Sequence, residues 1–515
     1  MTITAPLRRW CLLCLALTLL GGGLPPAKAF DFDDVDRLAL ALARTPYRPA
    51  PPDEVHAAGR ATSYNAYRQL RFRPDQSLWR GQAPFEVQFF PLGRSFLRPL
   101  RLYEIVEGQT LPIVVRRSAF DTPDAQSPAP VDPPIDVAGW RVTYPLHSAD
   151  KRDEVISLLG ASYFRALGMN QRYGVSARGL GVDTASLRGE EFPAFTAFWL
   201  ERPAAQAKSM TFYALLDGPS ASGAYRFEVR PGPTTTVDVQ ARLHLRDRSA
   251  TLGIAPLTSM FLSGENQPGT GDFRPEVHDS DGLQIAMADG EWLWRPLTNP
   301  RHPFVTSFAA SSPRGFGLSQ RDRSFSSYED LEAHYDRRPS VWVEPLGDWG
   351  AGRVELLQFH TPDETNDNVV AYWVPARTSE PGAPFAMAWR LHWSGDDAIT
   401  APGARVVQTR RGHGYREAPI DADRMQFHLD FVGPGLPAVQ ADAPPEDLDI
   451  EAVASGDDNV RGLRAIAYPN AVLGGWRVTL DFERTDARRP AELRVFLRRD
   501  GHAVSETWSY ALAPE

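Results

Sequence analysis

The sequence is poor in cysteine. Its 515 residues include only Cys11 and Cys14, and both lie within residues 1–29. That segment has an arginine pair, a short apolar run and a small-x-small site, A-K-A, at 27–29, which is the pattern of a secretory signal. We predict that residues 1–29 are removed on export and that the mature chain uses neither disulfides nor thiols. The apolar run is too short to span a bilayer, so we expect an exported protein without stable membrane insertion. Sec and twin-arginine export both stay open.

Several catalytic and binding signatures are also missing. The sequence has no glycine-rich phosphate loop and no G-x-S-x-G motif, which argues against nucleotide-binding proteins and serine hydrolases. Its histidines are scattered without metal-ligand spacing, so we expect no metal and no cofactor. Basic residues are outnumbered, 55 against 64 acids. An acidic chain is a poor partner for nucleic acid or a polyanionic polymer, and a neutral ligand is the easier expectation.

Proline and glycine, by contrast, are frequent, with 45 and 40 residues, and they separate short β-branched or aromatic runs. This pattern is typical of an all-β protein. The clearest predicted strands lie at 85–90, 101–106, 211–215, 234–239, 354–359, 477–482 and 493–497. Helices are predicted only at 30–43, which follows the pattern of an acidic helix start, and, as short candidates, at 152–159 and 327–334.

A chain of this length exceeds what one hydrophobic core usually organises. The stretch A-R-T-S-E-P-G-A-P at 376–384 combines glycine, serine and two prolines after an apolar strand. We therefore predict a large domain at 30–376, a linker at 377–384 and a smaller domain at 385–515. The last part has the length of an immunoglobulin-like sandwich, although it lacks the cysteines of that fold.

The segment that begins at Arg274, R-P-E-V-H-D-S-D-G-L, concentrates ionisable side chains. Glu276, His278, Asp279 and Asp281 lie within six residues. In an extended segment alternate side chains project from one face, so these carboxylates would line a site that transfers protons or binds a polar ligand. A solvated acidic turn is the competing interpretation.

A second acidic cluster, D-E-T-N-D-N at 363–368, precedes another apolar strand. Carboxylates from two separate segments are what acid/base hydrolysis of a glycosidic bond requires. A general acid must hold its proton near neutral pH, and burial or a neighbouring like charge raises the pKa of a carboxyl group. Asp363, Glu364 and Asp367 supply like charges to one another.

Aromatic residues supply a further indication. Sugar rings present apolar C–H faces on which aromatic side chains stack, and Trp342 and Trp349 are candidates for that role among 13 tryptophans. A place in the hydrophobic core is the competing interpretation for each. The polar segment 320–340, which contains Arg321 and Tyr335, is long for a connection. It is equally compatible with a lid over the site and with a solvated excursion.

Several motifs, in the same order, resemble the osmoregulated periplasmic glucan biosynthesis family, which has G-like and D-like members. They are Y-N-A-Y-R at 64–68, S-Y-F-R-A at 162–166, Y-G-V-S-A-R-G-L at 173–180, E-E-F-P at 190–193, R-P-E-V-H-D-S-D-G-L at 274–283, Q-R-D-R at 320–323, R-R-P-S at 337–340 and G-D-W-G at 347–350. The similarity covers nearly the whole mature chain and is weakest after residue 384.

The resemblance implies a large many-stranded, mutarotase-like β-sandwich followed by a smaller immunoglobulin-like β-sandwich. It also implies a periplasmic protein that acts on β-1,2-glucan chains as an anomer-inverting endo-glucanase or a transglycosylase. Contact with a membrane glucan synthase is a further possibility that follows from membership. Whether the chain is G-like or D-like, and whether it hydrolyses or transfers, stays open.

The same resemblance assigns roles to individual residues. Asp367 matches the general acid and Asp279 the general base, which works through a relay of water and a substrate hydroxyl, with Glu364 as a supporting carboxylate. Asp281 is the alternative base. Substrate-binding roles are expected for His278, Asp281, Arg321, Tyr335, Trp342 and Trp349.

Two other functions compete with this assignment. In a non-catalytic glucan-binding or scaffold protein, the same acids would only bind hydroxyl groups. A sugar epimerase or lyase would prefer His, Tyr or Arg as acid/base groups, and a lyase would need an acidic substrate, which the net charge of the chain disfavours.

Overall fold

The computed structural model describes residues 28–49, 67, 70–93, 96–121, 132–247, 250–378, 382–395, 399–414, 424–437 and 449–515. The predicted signal lies outside this part of the chain, apart from residues 28 and 29. Within it, the two helices are α1 (Phe32–Ala43) and α2 (Phe325–Tyr328), with 3-10 turns at Pro74–Gln76, Arg117–Ala119 and Tyr335–Arg337. Strands make up most of the rest, which confirms the all-β prediction.

The strands of the first half are β1 (Arg71–Phe72), β2 (Glu86–Pro91), β3 (Arg101–Val106), β4 (Gln109–Pro112), β5 (Phe120–Asp121), β6 (Val137–Tyr144), β7 (Asp153–Leu159), β8 (Tyr163–Ala166), β9 (Ser176–Arg178), β10 (Gly181–Val182), β11 (Ala194–Glu201), β12 (Met210–Asp217), β13 (Ala221–Arg230), β14 (Thr235–Leu245), β15 (Leu252–Ser259) and β16 (Phe261–Ser263).

The strands of the second half are β17 (Val277–His278), β18 (Gly282–Ala286), β19 (Trp292–Pro296), β20 (Phe304–Ser311), β21 (Gly315–Ser319), β22 (Ser340–Pro345), β23 (Ala351–Gln358), β24 (Val369–Pro375), β25 (Phe385–Ser394), β26 (Arg405–Arg411), β27 (Arg424–Val432), β28 (Glu451–Gly456), β29 (Val460–Asn470), β30 (Gly475–Arg484), β31 (Ala491–Arg499), β32 (His502–Ala503) and β33 (Thr507–Leu512).

Two large sheets face each other across the main core. The first runs β2-β6-β7-β8-β9-β15-β24-β23-β20, and the second contains β19-β18-β21-β22-β25-β14-β13-β12-β11-β3-β4. Trp140 of the first sheet packs edge-on against Phe198 and Phe212 of the second, with ring centroids 5.4 and 4.9 Å apart. Since aromatic side chains bury the most apolar area per residue, such contacts between the sheets dominate the core.

Helix α1 covers the outer face of the second sheet. The Asp31 side chain caps it by accepting hydrogen bonds from the backbone N–H groups of Asp33 and Asp34. The Asp34 side chain accepts one from the backbone N–H of Asp31, which completes a capping box built from aspartates. The buried Val35 and Ala39 pack with Trp199 and Tyr213. The helix predicted at 30–43 is confirmed, with its start two residues later.

The other two helix predictions are wrong. The segment 152–159 forms strand β7, in which Val155, Ile156 and Leu158 are buried, because pairing with β6 and β8 overrides a short and ambiguous apolar pattern. The segment 327–334 contains only the end of α2, which stops at Glu329 in the left-handed conformation. Ser327 lies inside this single turn and does not cap it.

Strand β25, which follows the predicted linker at 377–384, belongs to the second large sheet. It pairs with β14 on one side and with β22 on the other. Residues 385–394, which we assigned to the smaller domain, therefore lie in a sheet of the main core. Proline and glycine mark a turn between strands as readily as a domain boundary, and the division into domains stays a prediction.

The C-terminal strands surround a separate core. One sheet runs β26-β27-β30-β29, and β28, β31 and β33 continue the second large sheet through a parallel pairing of β33 with β19. Between them lie Phe427, Trp476, Trp508 and Tyr510. This sandwich supports a second unit from about residue 400 onward, and its immunoglobulin-like character stays a prediction.

Strand β25 provides a stability test. Trp393 is fully buried in the main core, so Trp393→Ala should lower the free energy of unfolding by about 3–5 kcal/mol, the usual cost of truncating a buried aromatic residue. Urea denaturation followed by tryptophan fluorescence and circular dichroism measures the change. Val472→Ala is the control, since Val472 is 94% exposed. Equal stabilities for the two variants would contradict the central place of β25.

Candidate functional site

The segment 259–261, where β15 ends and β16 begins, holds both acidic loops. The backbone N–H of Asp279 donates to Met260 O at 2.8 Å, and that of Asn368 donates to Ser259 O at 3.0 Å. The buried Asn368 amide accepts from Phe261 N at 2.8 Å and donates to Phe261 O at 3.0 Å. Because a side-chain amide carries both a donor and an acceptor, it substitutes here for a neighbouring strand. Asp279 and Asp367 are thereby fixed on either side of one backbone segment.

The Asp279 carboxylate is 5% exposed and pairs with a cation. Nη1 of Arg338 donates to Asp279 Oδ1, which satisfies the requirement that a buried charge be paired. The guanidinium also lies over the ring of Tyr335, 4.0 Å from its centroid, a cation–π contact.

Asp367 is more open. It lies in the loop between β23 and β24, its side chain is 32% exposed, and Arg165 Nη2 is 4.0 Å from Asp367 Oδ2. Arg165 is itself held by Ser176, to whose hydroxyl Arg165 Nε donates at 2.6 Å. Such a carboxyl group is fixed in place and still reaches solvent.

Arg338 is the electrostatic link between the two acids. Burial lowers the pKa of Arg338 to about 10, and the neighbouring Arg165 acts in the same direction, whereas Glu364 and Asp367 oppose the shift. With that pKa the guanidinium is still cationic at neutral pH. Arg338 therefore contacts Asp279 and lies within the electrostatic influence of Asp367.

Glu364 is paired with a different arginine, Arg274. Its Oε2 is 2.7 Å from Arg274 Nη2, and burial together with the Glu364 carboxylate raises the pKa of Tyr335 above its usual value. Arg274 also binds Asp272 and Asp330. Glu364 and Tyr335, both predicted site residues, are thus brought together with Arg338, which lies over the Tyr335 ring. The Arg338 cluster is the name used below for Arg338 and the groups that it contacts or influences: Asp279, Tyr335, Glu364 and Asp367.

His278 is placed beneath the site. Its ring is fully buried, with Nδ1 2.8 Å from Gln320 Oε1 and Nε2 2.9 Å from Glu276 Oε2, and it stacks on Phe261. Burial opposes protonation of the ring, but hydrogen bonding and the charge of Glu276 still raise the pKa of His278 above its ordinary value. A fully buried ring has no face to offer a substrate, so this side chain supports the wall of the site.

Asp281 also points inward. Its Oδ2 accepts from the backbone N–H groups of Arg321 at 3.0 Å and Asp322 at 3.2 Å. The alternation argument expected Asp279 and Asp281 to share one face. They do not, because β17 ends at His278 and a loop intervenes before β18. Of the two, Asp279 contacts the Arg338 cluster.

Three further predicted binding residues have partners elsewhere. The guanidinium of Arg321 is paired with Glu506. Trp342 stacks on Trp292 with ring centroids 5.6 Å apart, and Trp349 packs against Trp373 and Trp389 in the main core. Among the described residues, the ring contacts of both tryptophans lie apart from the Arg338 cluster, which favours the core interpretation for them.

The cations Arg165, Arg274 and Arg338 were missed as functional candidates. All three stand in motifs that carried the family resemblance, S-Y-F-R-A, R-P-E-V-H-D-S-D-G-L and R-R-P-S. A physical signal was available as well, since clustered buried carboxylates need counter-charges. The sequence could not indicate which of the many arginines supply them.

A groove adjoins Arg165. One cavity of 430 Å³ is lined by Phe96, Tyr163, Phe164 and Arg165, and an adjacent one of 360 Å³ shares Phe96 and Tyr163 and adds Phe192. Aromatic walls with the guanidinium of Arg165 among them suit an elongated ligand with apolar faces and hydroxyl edges. Across the described ranges, no group of three or more His, Cys, Asp or Glu side chains is arranged to bind a metal ion.

Comparison with known proteins identifies the family of this chain. The family model described as periplasmic glucan biosynthesis protein, MdoG, matches residues 30–512. The chain belongs to this family. Membership supports involvement in periplasmic glucan biosynthesis. In the described part of the chain, no helix is both long enough and apolar enough to cross a bilayer.

Individual relatives of this chain match over nearly their full length. Glucans biosynthesis protein G of Ralstonia nicotianae is 48% identical over 499 residues, which cover 95% of this chain and 97% of the relative. The proteins of the same name from Pseudomonas aeruginosa and Sodalis glossinidius are 45% and 43% identical, with at least 96% of each chain covered. These relatives bear the name of protein G, whereas the sequence had left the choice between G-like and D-like open.

The buried carboxyl group of Asp281 generates a pH prediction. Burial raises the pKa of Asp281 to about 6, above the value of about 4 expected in an unfolded chain. Between these values the folded protein holds a proton that the unfolded chain has lost, so this group makes stability fall as pH rises from 4 to 6. Asp281→Asn removes that titration.

Urea denaturation of the parent and of Asp281→Asn at several pH values from 4 to 7 measures this effect. The stability of the parent relative to the variant should fall by up to about 3 kcal/mol on going from pH 4 to pH 6 and change little above it. Asp363→Asn is the control, because hydrogen bonds from Thr365 lower the pKa of the exposed Asp363. A stability difference that does not vary with pH would contradict the assignment.

Proposed function

We propose that this protein acts on β-1,2-linked glucan chains in the periplasm, as an inverting endo-glucanase or as a transglycosylase. Asp367 is the general acid and Asp279 the general base. The observation that carries the proposal is that the two acidic loops are bonded to one backbone segment, 259–261, with Asp279 paired to Arg338 and Asp367 within the electrostatic influence of the same guanidinium. The β-1,2 linkage comes from the family resemblance.

The exposure of the two acids suits these different roles. Asp367, partly exposed beside the groove, is placed to give its proton to the leaving glycosidic oxygen as the bond to the anomeric carbon breaks. The oxygen of water, or of a hydroxyl group on a second glucan chain, forms the new bond to that carbon from the opposite face. The proton that this nucleophile releases passes to Asp279.

The burial of Asp279 supports a relay. A side chain that is 5% exposed reaches a nucleophile in the groove only through intervening groups. Water and a substrate hydroxyl can carry the proton to it, as the family resemblance implies. Arg338 meanwhile holds the Asp279 carboxylate in one orientation, which preserves the geometry that proton transfer needs.

A specific observation favours a second candidate function. Asp279 is paired with Arg338 and Glu364 with Arg274, so these acids could serve only to shape the wall of a groove. The protein would then bind glucan without changing it and would assist a membrane glucan synthase as a scaffold.

Substitution of the two acids distinguishes an enzyme from a binder. Asp367→Asn should retain glucan affinity while turnover of linear β-1,2-glucan falls on the order of 10²-fold or more, since an amide cannot donate the proton. Asp279→Asn should behave in the same way, because the base is needed in every cycle. Chromatography of the products gives turnover and linkage, and calorimetry gives affinity.

Asp363→Asn is the matched control, because it makes the same chemical change in the same loop at an exposed acid. Its turnover should equal that of the parent. A parent protein that binds the glucan but never alters its length or linkage establishes the scaffold function instead.

A further inference from the structure

The C-terminal sandwich contacts the loop of Asp279 through one buried ion pair. Arg321 follows β21, and its Nη1 and Nη2 donate to Oε1 and Oε2 of Glu506 at 2.5 and 2.9 Å. Glu506 lies just before β33, and its side chain is 0% exposed. A two-pronged pair of this kind fixes orientation as well as distance.

Further contacts make this pair rigid. Glu506 Oε1 also accepts from Val406 N at 2.9 Å, and Arg321 Nη1 donates to Val406 O at 2.8 Å. The Arg321 guanidinium lies 3.5 Å from the centroid of the Trp294 ring. Trp294 belongs to β19, the strand that pairs with β33, so the ion pair lies at the seam between the two units.

The backbone at Arg321 connects the ion pair with Glu506 to the acidic loop. The N–H groups of Arg321 and Asp322 both donate to Asp281 Oδ2, and Asp281 N donates to Ser319 O at 2.9 Å. On the other side of the loop, Ser280 Oγ is 2.9 Å from Ser259 Oγ. Asp279 therefore lies on a short loop whose ends are attached to the 259–261 segment and to the Arg321 backbone.

We propose that Glu506 is a positioning residue for the general base Asp279 and acts through Arg321 and Asp281. The inference rests on the proposed function, to which it adds a role for the C-terminal sandwich. A displacement of about 1 Å at a reacting group can cost on the order of 10²-fold in rate, so a distant side chain that fixes this loop can influence turnover without touching the glucan.

The test compares two ion pairs that cross the same seam. Glu506→Gln weakens the pair with Arg321. Glu492→Gln weakens the pair in which Arg295 Nη2 lies 2.7 Å from Glu492 Oε2, and Arg295 is one residue beyond Trp294 on β19. The side chain of Arg295 bonds Glu492 and Ser509 and lies over Phe308, whereas its backbone pairs with Leu283. The second variant thus controls for a general loosening of the two units.

Two measurements are made on each full-length variant: steady-state kinetics on linear β-1,2-glucan, and amide hydrogen exchange of the segments 276–283 and 319–323. Glu506→Gln should lower kcat about 10-fold, with KM changed by less than about two-fold, since loop geometry is altered and the binding groove is not. Exchange in both segments should become faster. Glu492→Gln should leave kcat and exchange at the parent values, although thermal unfolding shows both variants to be less stable.

Arg321→Lys covers the case in which Glu506→Gln does not fold. It keeps the cation and the backbone bond to Asp281 but loses the fork that grips Glu506, so it should show the same fall in kcat. The double variant should be no slower than the slower single variant, because both act through one contact.

The proposal is overturned if Glu506→Gln loses thermal stability yet retains the kcat of the parent and its exchange rates at 276–283. A parent without turnover refutes the proposed function instead. The exchange data then decide separately whether Glu506 holds the loop.

Discussion

The arrangement of this site depends on one buried amide. Asn368 fills a place beside the 259–261 segment where a strand would otherwise be needed, and it bonds both the N–H and the C=O of Phe261. A buried backbone group without a partner costs about as much as a lost hydrogen bond. The amide therefore fixes the loop that ends at Asn368, and with it the preceding Asp367. Asp279 is attached to the neighbouring residue, Met260.

The charges around this segment follow from the same constraint. Once several carboxylates are held close together and partly away from water, each needs a cation or hydrogen-bond donors. Arg338 pairs with Asp279 and Arg274 pairs with Glu364. Two backbone N–H groups donate to Asp281. In the acidic stretch at 276–281, Asp279 therefore belongs to the Arg338 cluster, whereas Asp281 is bonded to backbone N–H groups.

How far the sequence could predict this differs from one feature to the next. The β-branched or aromatic runs at 85–90 and 477–482 and the acidic start of α1 predicted β2, β30 and the helix correctly, because the signal there is local. The segment that became β7 was mistaken for a helix, since its partners lie elsewhere in the chain. Asp279 and Asp367 were predicted as a pair through a family resemblance, and their roles stay a prediction. The inward turn of Asp281 and the pairing of Arg321 with Glu506 depend on contacts between distant segments, which no local pattern records.

The strand order has a consequence for how the molecule is built. Strand β14 pairs with β25, which follows about 140 residues later in the chain, and β19 pairs with β33, which follows about 200 residues later. Such long-range pairing makes folding slow, because distant ends must close before their contacts stabilise anything. All the acidic and basic groups of the site precede β25 in the chain. A molecule that emerges from its amino end therefore carries the acidic and basic groups of the site before the strands that complete the sheets around them have been added.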